Sequence, residues 1–144
     1  MPNELDFDHY GDLKNAVGDD LTGHHMPADS YMAQYQKARD KSYAMFFEQP
    51  GKGGRHRRTF TYGKNNNGRG KQLYNALTPR DTLAFDLYDM KRILMEDGVY
   101  NSAARAKMKE DINMYKNDKD FKELFDKNSI YNQIAPCGRR KYRG

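Results

Sequence analysis

The sequence has few of the residues that hold together many small folds and many metal sites. Its 144 residues include one cysteine, Cys137, and no tryptophan. A lone cysteine excludes an internal disulfide and a thiolate-rich zinc site, so any metal must be bound through nitrogen and oxygen ligands. No apolar run approaches the ~20 residues that span a bilayer, and the acidic N-terminus is not a signal peptide. We therefore expect no membrane partner.

Apolar residues are also scarce, at 37% of the chain against 31% charged. A small core is expected, built largely from eleven Tyr, seven Phe and eight Met. The length suits one domain over residues 1–144, expected to be a monomer. We predict an irregular acidic segment at 1–20, with seven acids against one lysine in the first thirty residues, and a basic tail at 129–144.

Acidic residues are entirely absent from Gln49 to Arg80, a stretch of thirty-two residues. It contains eight bases: Lys52, Arg55, Arg57, Arg58, Lys64, Arg69, Lys71 and Arg80. Interleaved with them are the aromatic residues Phe60, Tyr62 and Tyr74. Such a stretch suits a phosphate-rich partner, because bases that neutralise phosphates release counterions. The alternative is a solvated basic face, but the complete absence of acids favours polyanion binding. The acidic N-terminal segment is expected to pack against this basic stretch.

Periodicity predicts one good strand and several helices. The strand is Ser42–Glu48, rich in aromatics. The signal Thr78-Pro79-Arg80-Asp81 begins a helix with an apolar stripe, and Gly98 ends it. Asn101 caps another helix. Shorter helices are predicted at 12–17, 28–39, 72–77 and around 121–125, with a loop over 62–70 and extended chain after Asn128. The fold class is therefore α+β with a mostly helical C-terminal half.

Three of the four histidines, His24, His25 and His56, lie in two segments that suit metal-dependent chemistry. Neutral imidazole is a common metal ligand, and its pKa lies near neutral pH. Adjacent residues on an extended strand point to opposite sides, so His24 and His25 would take different roles. A third ligand could come from Asp29 or from one of Asn65 to Asn67. Solvated loop histidines are the alternative interpretation.

Two segments carry a resemblance to a known family: Gly23-His-His-Met-Pro-Ala-Asp29 and His56-Arg-Arg-Thr-Phe-Thr-Tyr-Gly63. They resemble the HNH-type (His-Me finger, ββα-metal) nuclease domains at the C-termini of bacterial polymorphic toxins and Rhs effectors. The helical stretch Asp81–Asp97 is similar to the segment that follows in such toxins, so the resemblance spans roughly residues 10–97. It implies a small ββα-metal element braced by several helices.

The resemblance also implies the roles of the site residues. His24 and His56 would bind the metal, and His25 would be the general base. A third ligand is expected one helical turn after His56, but Phe60 stands there. Arg57 is predicted to assist catalysis at the phosphate. The predicted substrate-binding residues are Arg55, Arg58, Lys64, Asn66 and Arg69.

The function implied is a metal-dependent endonuclease that hydrolyses DNA with little sequence preference. It would use one divalent ion (Mg, Mn, Zn or Ni) and act as the toxin domain of a secreted antibacterial effector. Such a domain is delivered into the target-cell cytoplasm, and a cognate immunity protein neutralises it in the producing cell. The alternatives are a ribonuclease toxin of the same fold and a non-enzymatic, basic nucleic-acid-binding protein with structural histidines.

Overall fold

The computed structural model of the protein describes residues 4–13, 21–48, 54–62 and 68–133. Within those ranges, the strands are β1 (Phe7–His9), β2 (Leu21–His25) and β3 (Tyr43–Glu48). The α-helices there are α1 (Tyr10–Leu13), α2 (Asp29–Met32), α3 (Gly68–Ala76), α4 (Pro79–Glu96), α5 (Ser102–Asn117) and α6 (Lys122–Phe125). Short 3-10 turns occupy Ala33–Tyr35, Arg55–Arg58 and Ile130–Asn132. The fold is α+β with a mostly helical C-terminal half, as predicted.

The strands form one antiparallel sheet in the order β1-β3-β2. The predicted strand at Ser42–Glu48 is confirmed as β3, the central strand. The prediction of an irregular N-terminal segment is wrong at Phe7–His9, which pairs with β3. Three residues are too few for an alternating pattern to be recognised in sequence. Most of the helix predicted at 12–17 lies outside the described residues.

Both long helices begin where their sequence signals predict, and α4 also ends before the predicted Gly98. The Thr78 hydroxyl accepts a hydrogen bond from the Asp81 backbone N–H at 3.3 Å, and Pro79 is the first residue of α4. Gly98, with φ +71°, follows this helix. The Asn101 side chain accepts from the Ala104 N–H at 2.9 Å and caps α5. Short-range hydrogen bonding therefore fixes both helix starts.

Three shorter predictions are wrong in extent. The helix expected over 28–39 is α2 followed by a 3-10 turn that Gln36, with φ 56°, terminates. The loop expected over 62–70 gives way to α3 at Gly68. The chain after Asn128 forms a 3-10 turn because Asn132 bonds to distant groups. Its amide donates to the Leu124 carbonyl at 2.8 Å, and its oxygen accepts from the Arg80 N–H at 3.0 Å.

The core lies between one face of the sheet and the helices. Tyr43 of β3 contacts Tyr115 of α5 edge to face, with ring centroids 4.9 Å apart. The Tyr43 N–H donates to the Tyr115 hydroxyl at 3.0 Å, so the sheet and the helix share both apolar and polar contacts. Phe121 and Phe125 complete this aromatic cluster. In the described ranges, no helix is long and apolar enough to cross a membrane.

Candidate functional site

The last two residues of β2 present their imidazoles to different surroundings. His24 pairs across the sheet with Met45 and is 4% exposed, with its ring 5.9 Å from that of Phe47. His25 is half-buried, and its ring centroid lies 4.5 Å from that of Tyr10. A Cβ at Gly23 would come within 3.0 Å of the Tyr10 ring, so glycine allows Tyr10 to approach the strand. The prediction that the two imidazoles lie on different sides of the strand is confirmed.

His56 reaches His24 from the 3-10 turn Arg55–Arg58, which follows the central strand along the chain. The two ring centroids are 5.1 Å apart, with the ring planes at 77°. Tyr62 contacts the His56 ring as well, at 5.2 Å and 88°. The structure therefore brings together the two histidines that the sequence assigned to metal binding. Tyr62 is also a member of this cluster, although the sequence indicated it only as an aromatic of the basic stretch.

Burial keeps both imidazoles of this pair uncharged at neutral pH. It lowers the pKa of His24 to about 3, with further lowering from His56 and then His25. Burial likewise lowers the pKa of His56 to about 4, and His25 adds to the effect. Uncharged imidazoles keep a nitrogen lone pair, which is the form that binds metal ions.

His25 is oriented by a backbone carbonyl. Its Nε2 lies 3.3 Å from the Arg39 carbonyl oxygen. Because a carbonyl can only accept, Nε2 carries the hydrogen and Nδ1 keeps the lone pair. Burial lowers the pKa of His25, while the hydrogen bond to Arg39 and the charge of Asp29 partly offset that effect. The Arg39 guanidinium also lies over the Tyr10 ring, 4.9 Å from its centroid. His25 is therefore a neutral imidazole with one basic nitrogen.

The histidine pair fits part of a divalent-metal shell. Two imidazoles bound tetrahedrally to one ion at ~2.0–2.1 Å have ring centres about 5 Å apart, close to the separation of His24 and His56. Among the residues that the structure describes, no group of three His, Cys, Asp or Glu side chains is placed to hold a metal. A metal bound here would take its remaining ligands from water, from substrate or from residues outside the described ranges. The candidates Asn65 to Asn67 lie outside the described residues.

Phe60 does not supply the ligand expected one helical turn after His56. The 3-10 turn ends at Arg58, so Phe60 does not continue a helical face. Its ring instead packs against Phe85 at 5.1 Å and Tyr74 at 6.1 Å. Asp29, the other ligand candidate, lies close enough to His25 for its negative charge to act on the pKa of that imidazole, in the upward direction.

Arg55 and Arg58, both predicted to bind substrate, form ion pairs with acids from distant parts of the chain. Arg55 contacts Glu4 through Nη1 and Asp97 through Nε, each at 2.8 Å. Arg58 contacts Asp97 and Glu96, also at 2.8 Å. The expected packing of the acidic N-terminal segment against the basic stretch is thus confirmed for Glu4. These ion pairs flank His56 and attach its turn to the C-terminal end of α4.

The remaining predicted site residues lie in the turn Arg55–Arg58, in α3 or outside the described residues. Arg57 is exposed, and its guanidinium lies 5.7 Å from the Tyr62 ring centroid, beside His56. Arg69 is exposed in the first turn of α3. Lys64 and Asn66 lie outside the described residues. The structure therefore places Arg57 next to the histidine pair.

The second half of the Gly23–Asp29 segment anchors the histidines to the core. Met26 is buried, and the Met26–Pro27 peptide bond is cis. The Ala28 N–H donates to the Tyr74 hydroxyl at 2.9 Å, and that hydroxyl donates to the Asp86 carboxylate at 2.6 Å. The segment thus combines the two histidines of the candidate site with Met26 and Ala28, which attach it to the core.

No protein-family model, curated protein or solved structure matches this chain. A three-stranded antiparallel sheet is too general to identify a ββα-metal element, so that assignment stays a prediction.

Proposed function

We propose that this protein is a metal-dependent endonuclease that hydrolyses DNA phosphodiester bonds with little sequence preference. The observation that carries the proposal is the pair of uncharged imidazoles, His24 and His56, with ring centroids 5.1 Å apart. A third imidazole, His25, is adjacent in sequence and keeps a basic Nδ1. Two metal-binding nitrogens beside a general base are the components needed for metal-assisted phosphodiester hydrolysis.

Each side chain of the site has a distinct role in this reaction. His24 and His56 would hold one divalent ion, which when bound supplies Lewis-acid stabilisation of the phosphate and the leaving 3′-oxygen. His25 accepts the proton of the attacking water at Nδ1, while its Nε2–H bond to the Arg39 carbonyl holds the ring in place. Arg57 would bind the phosphate and offset the charge that develops on it.

The resemblance to toxin nucleases supplies the biological part of the proposal. The chain would act as the toxin domain of a secreted effector in the target-cell cytoplasm, and an immunity protein would protect the producer. Exposed cations near the site suit an inhibitor with an acidic surface. An RNA substrate is the second candidate, because the imidazole pair and Arg57 recognise a phosphodiester without distinguishing the two sugars.

Cleavage of supercoiled plasmid with and without a divalent ion tests the proposal. We expect His25→Ala to lower the rate by about 10²–10⁴, the usual contribution of a general base, without a matching loss of metal affinity. His24→Ala and His56→Ala should weaken metal binding measured by calorimetry. His9→Ala is the matched control, because His9 lies on β1 and stacks on Tyr43 at 4.4 Å.

Three outcomes would count against the assigned roles. Wild-type cleavage by His25→Ala would exclude His25 as the base. Loss of metal binding in His25→Ala alone would exchange the roles of His24 and His25. Binding of DNA without cleavage of DNA or RNA under any divalent ion would favour the non-enzymatic alternative.

A further inference from the structure

An apolar cleft lies between Phe60, which follows His56 by four residues, and the helices α3 and α4. Its volume is about 340 Å³. It is lined by Phe60, Gly70, Leu73, Tyr74, Leu77 and Phe85. Aromatic rings form much of this surface, with Phe60 and Phe85 in edge-to-face contact at 5.1 Å and 83°. The cleft is open to solvent, since Leu73 on its wall is 56% exposed.

Gly70 keeps this cleft open. It lies inside α3, where glycine is disfavoured relative to residues that carry a side chain. A Cβ at this position would come within 3.2 Å of Phe60 Cζ, so any longer side chain would occupy the space over the ring. No left-handed backbone angle requires glycine here, because the described positive-φ glycines are Gly68 and Gly98. The space beside Phe60 is the consequence of Gly70 that the structure shows.

The cleft is close enough to the histidine pair for one nucleic-acid strand to reach both. Phe60 follows His56 by four residues, which span at most ~14 Å. The Phe60 backbone is fixed, because its N–H donates to the Asp89 carboxylate at 2.7 Å. Exposed cations flank the cleft in sequence, with Arg69 and Lys71 on either side of Gly70. An aromatic surface with cations at its border is typical of sites that bind single-stranded nucleic acid.

We propose that this cleft receives one unpaired nucleobase of the polynucleotide whose phosphate lies at the histidine pair. The inference rests on the proposed function of that pair. Stacking on aromatic faces tolerates any base, in agreement with a nuclease of little sequence preference. A base stacked in a duplex cannot enter such a cleft, so the substrate is single-stranded or locally unpaired there. An apolar side chain of a protein partner also fits the cleft, but the flanking cations favour a polyanion.

Binding of a fluorescent single-stranded DNA dodecamer in EDTA tests the inference, because without metal the strand stays intact. Two variants alter the cleft without removing a core residue, Gly70→Leu and Leu73→Ser. We expect each to weaken binding by about tenfold, within the range for loss of one stacked base. Met114→Ser is the matched control, since Met114 is an exposed apolar residue of α5. The same titrations with a dodecamer of abasic sugar-phosphate should show equal affinity for all four proteins.

The outcomes distinguish a failure of the proposed base subsite from a failure of the proposed function. If the wild type binds neither dodecamer, the base subsite is wrong, and plasmid cleavage with a divalent ion decides whether the proposed function stands. If it binds both with equal affinity and Gly70→Leu changes neither, the base subsite is wrong and the proposed function stands. If the cleft variants lose the normal and abasic strands alike, the cleft contacts the backbone and the base subsite is again wrong. Preferential loss of the base-containing strand in both variants supports the subsite.

Discussion

Substitution of Asp97 by asparagine tests whether the ion pairs around His56 hold it beside His24. The Asp97 carboxylate accepts from Arg55 Nε at 2.8 Å and from Arg58 Nη1 at 2.9 and 2.8 Å. These two arginines bracket His56 in the 3-10 turn. Removing the charge at Asp97 therefore weakens the attachment of the turn to α4 at two points.

The stability that Asp97→Asn should lose depends on how exposed the ion pairs of Asp97 are to solvent. Hydrogen bonds to charged groups contribute about 1.5–3 kcal/mol, whereas exposed ion pairs contribute about 0–1 kcal/mol. The side chains of Arg55 and Asp97 are 12% and 26% exposed, between these limits, and Arg55 keeps its partner Glu4. We expect Asp97→Asn to lower the free energy of unfolding by about 1–2 kcal/mol. Burial opposes ionisation of Asp97, but bonds from Arg58 and Arg55 outweigh it and lower its pKa. The attachment is therefore complete at neutral pH and weakens as pH falls below the usual carboxylate range.

Urea unfolding measures the stability change, and calorimetric titration with a divalent ion measures the effect on the site. Glu96→Gln is the matched control, because Glu96 contacts Arg58 and is 50% exposed, whereas Arg55 forms its ion pairs with Glu4 and Asp97. The control should leave both the urea unfolding midpoint and the metal affinity nearly unchanged, because exposed ion pairs contribute little to stability. Asp97→Asn should weaken metal binding several-fold while the protein is still fully folded. Equal metal affinity in the two folded variants would refute a positioning role for Asp97.

Two further predictions concern buried polar groups. Burial raises the pKa of Asp111 to about 8, and its Oδ2 has no hydrogen-bond partner in the described structure. The free energy of unfolding should therefore fall as pH rises, by about 1.4 kcal/mol per pH unit between about pH 4 and 8. In urea unfolding, Asp111→Asn should remove this pH dependence, whereas Glu110→Gln, on the exposed face of α5, should keep it. Identical pH profiles of stability for the two variants would contradict the prediction. Tyr74→Phe, which removes the hydroxyl between Ala28 and Asp86, should cost about 1–3 kcal/mol in thermal unfolding, whereas the exposed Tyr88→Phe should cost under 0.5.

Features fixed by neighbouring residues could be predicted from sequence, and features fixed by distant residues could not. The caps at Thr78 and Asn101 each bond to a residue three positions on, so the sequence contains both partners. The 3-10 turn at Ile130–Asn132 depends on Arg80, some fifty residues away. β1 is a strand because the central strand lies beside it, and its own three residues contain no strand signal.

The same distinction applies to the site. The histidines were predictable as chemical types, because imidazole suits both metal binding and proton transfer. Their distance was not, since it depends on how the turn carrying His56 folds back onto β2. Arg39 and Tyr10, which surround His25, have no local signal that connects them to it. Tyr62 was noted as an aromatic of the basic stretch and lies in the second segment of the resemblance, but neither indicates that its ring contacts His56.

The acid-free stretch from Gln49 to Arg80 is partly neutralised by acids from elsewhere in the chain. Its composition predicts one continuous cationic surface, but Glu4, Glu96 and Asp97 reach two of its arginines from outside. Arg80 is also engaged, donating to the Phe125 carbonyl at 3.0 Å. The exposed cations among its described residues are Arg57, Arg69 and Lys71. Arg57 lies beside the histidine pair, and the other two flank Gly70 at the aromatic cleft. The exposed positive charge among the described residues of this stretch therefore lies at the two proposed sites, the histidine pair and the aromatic cleft.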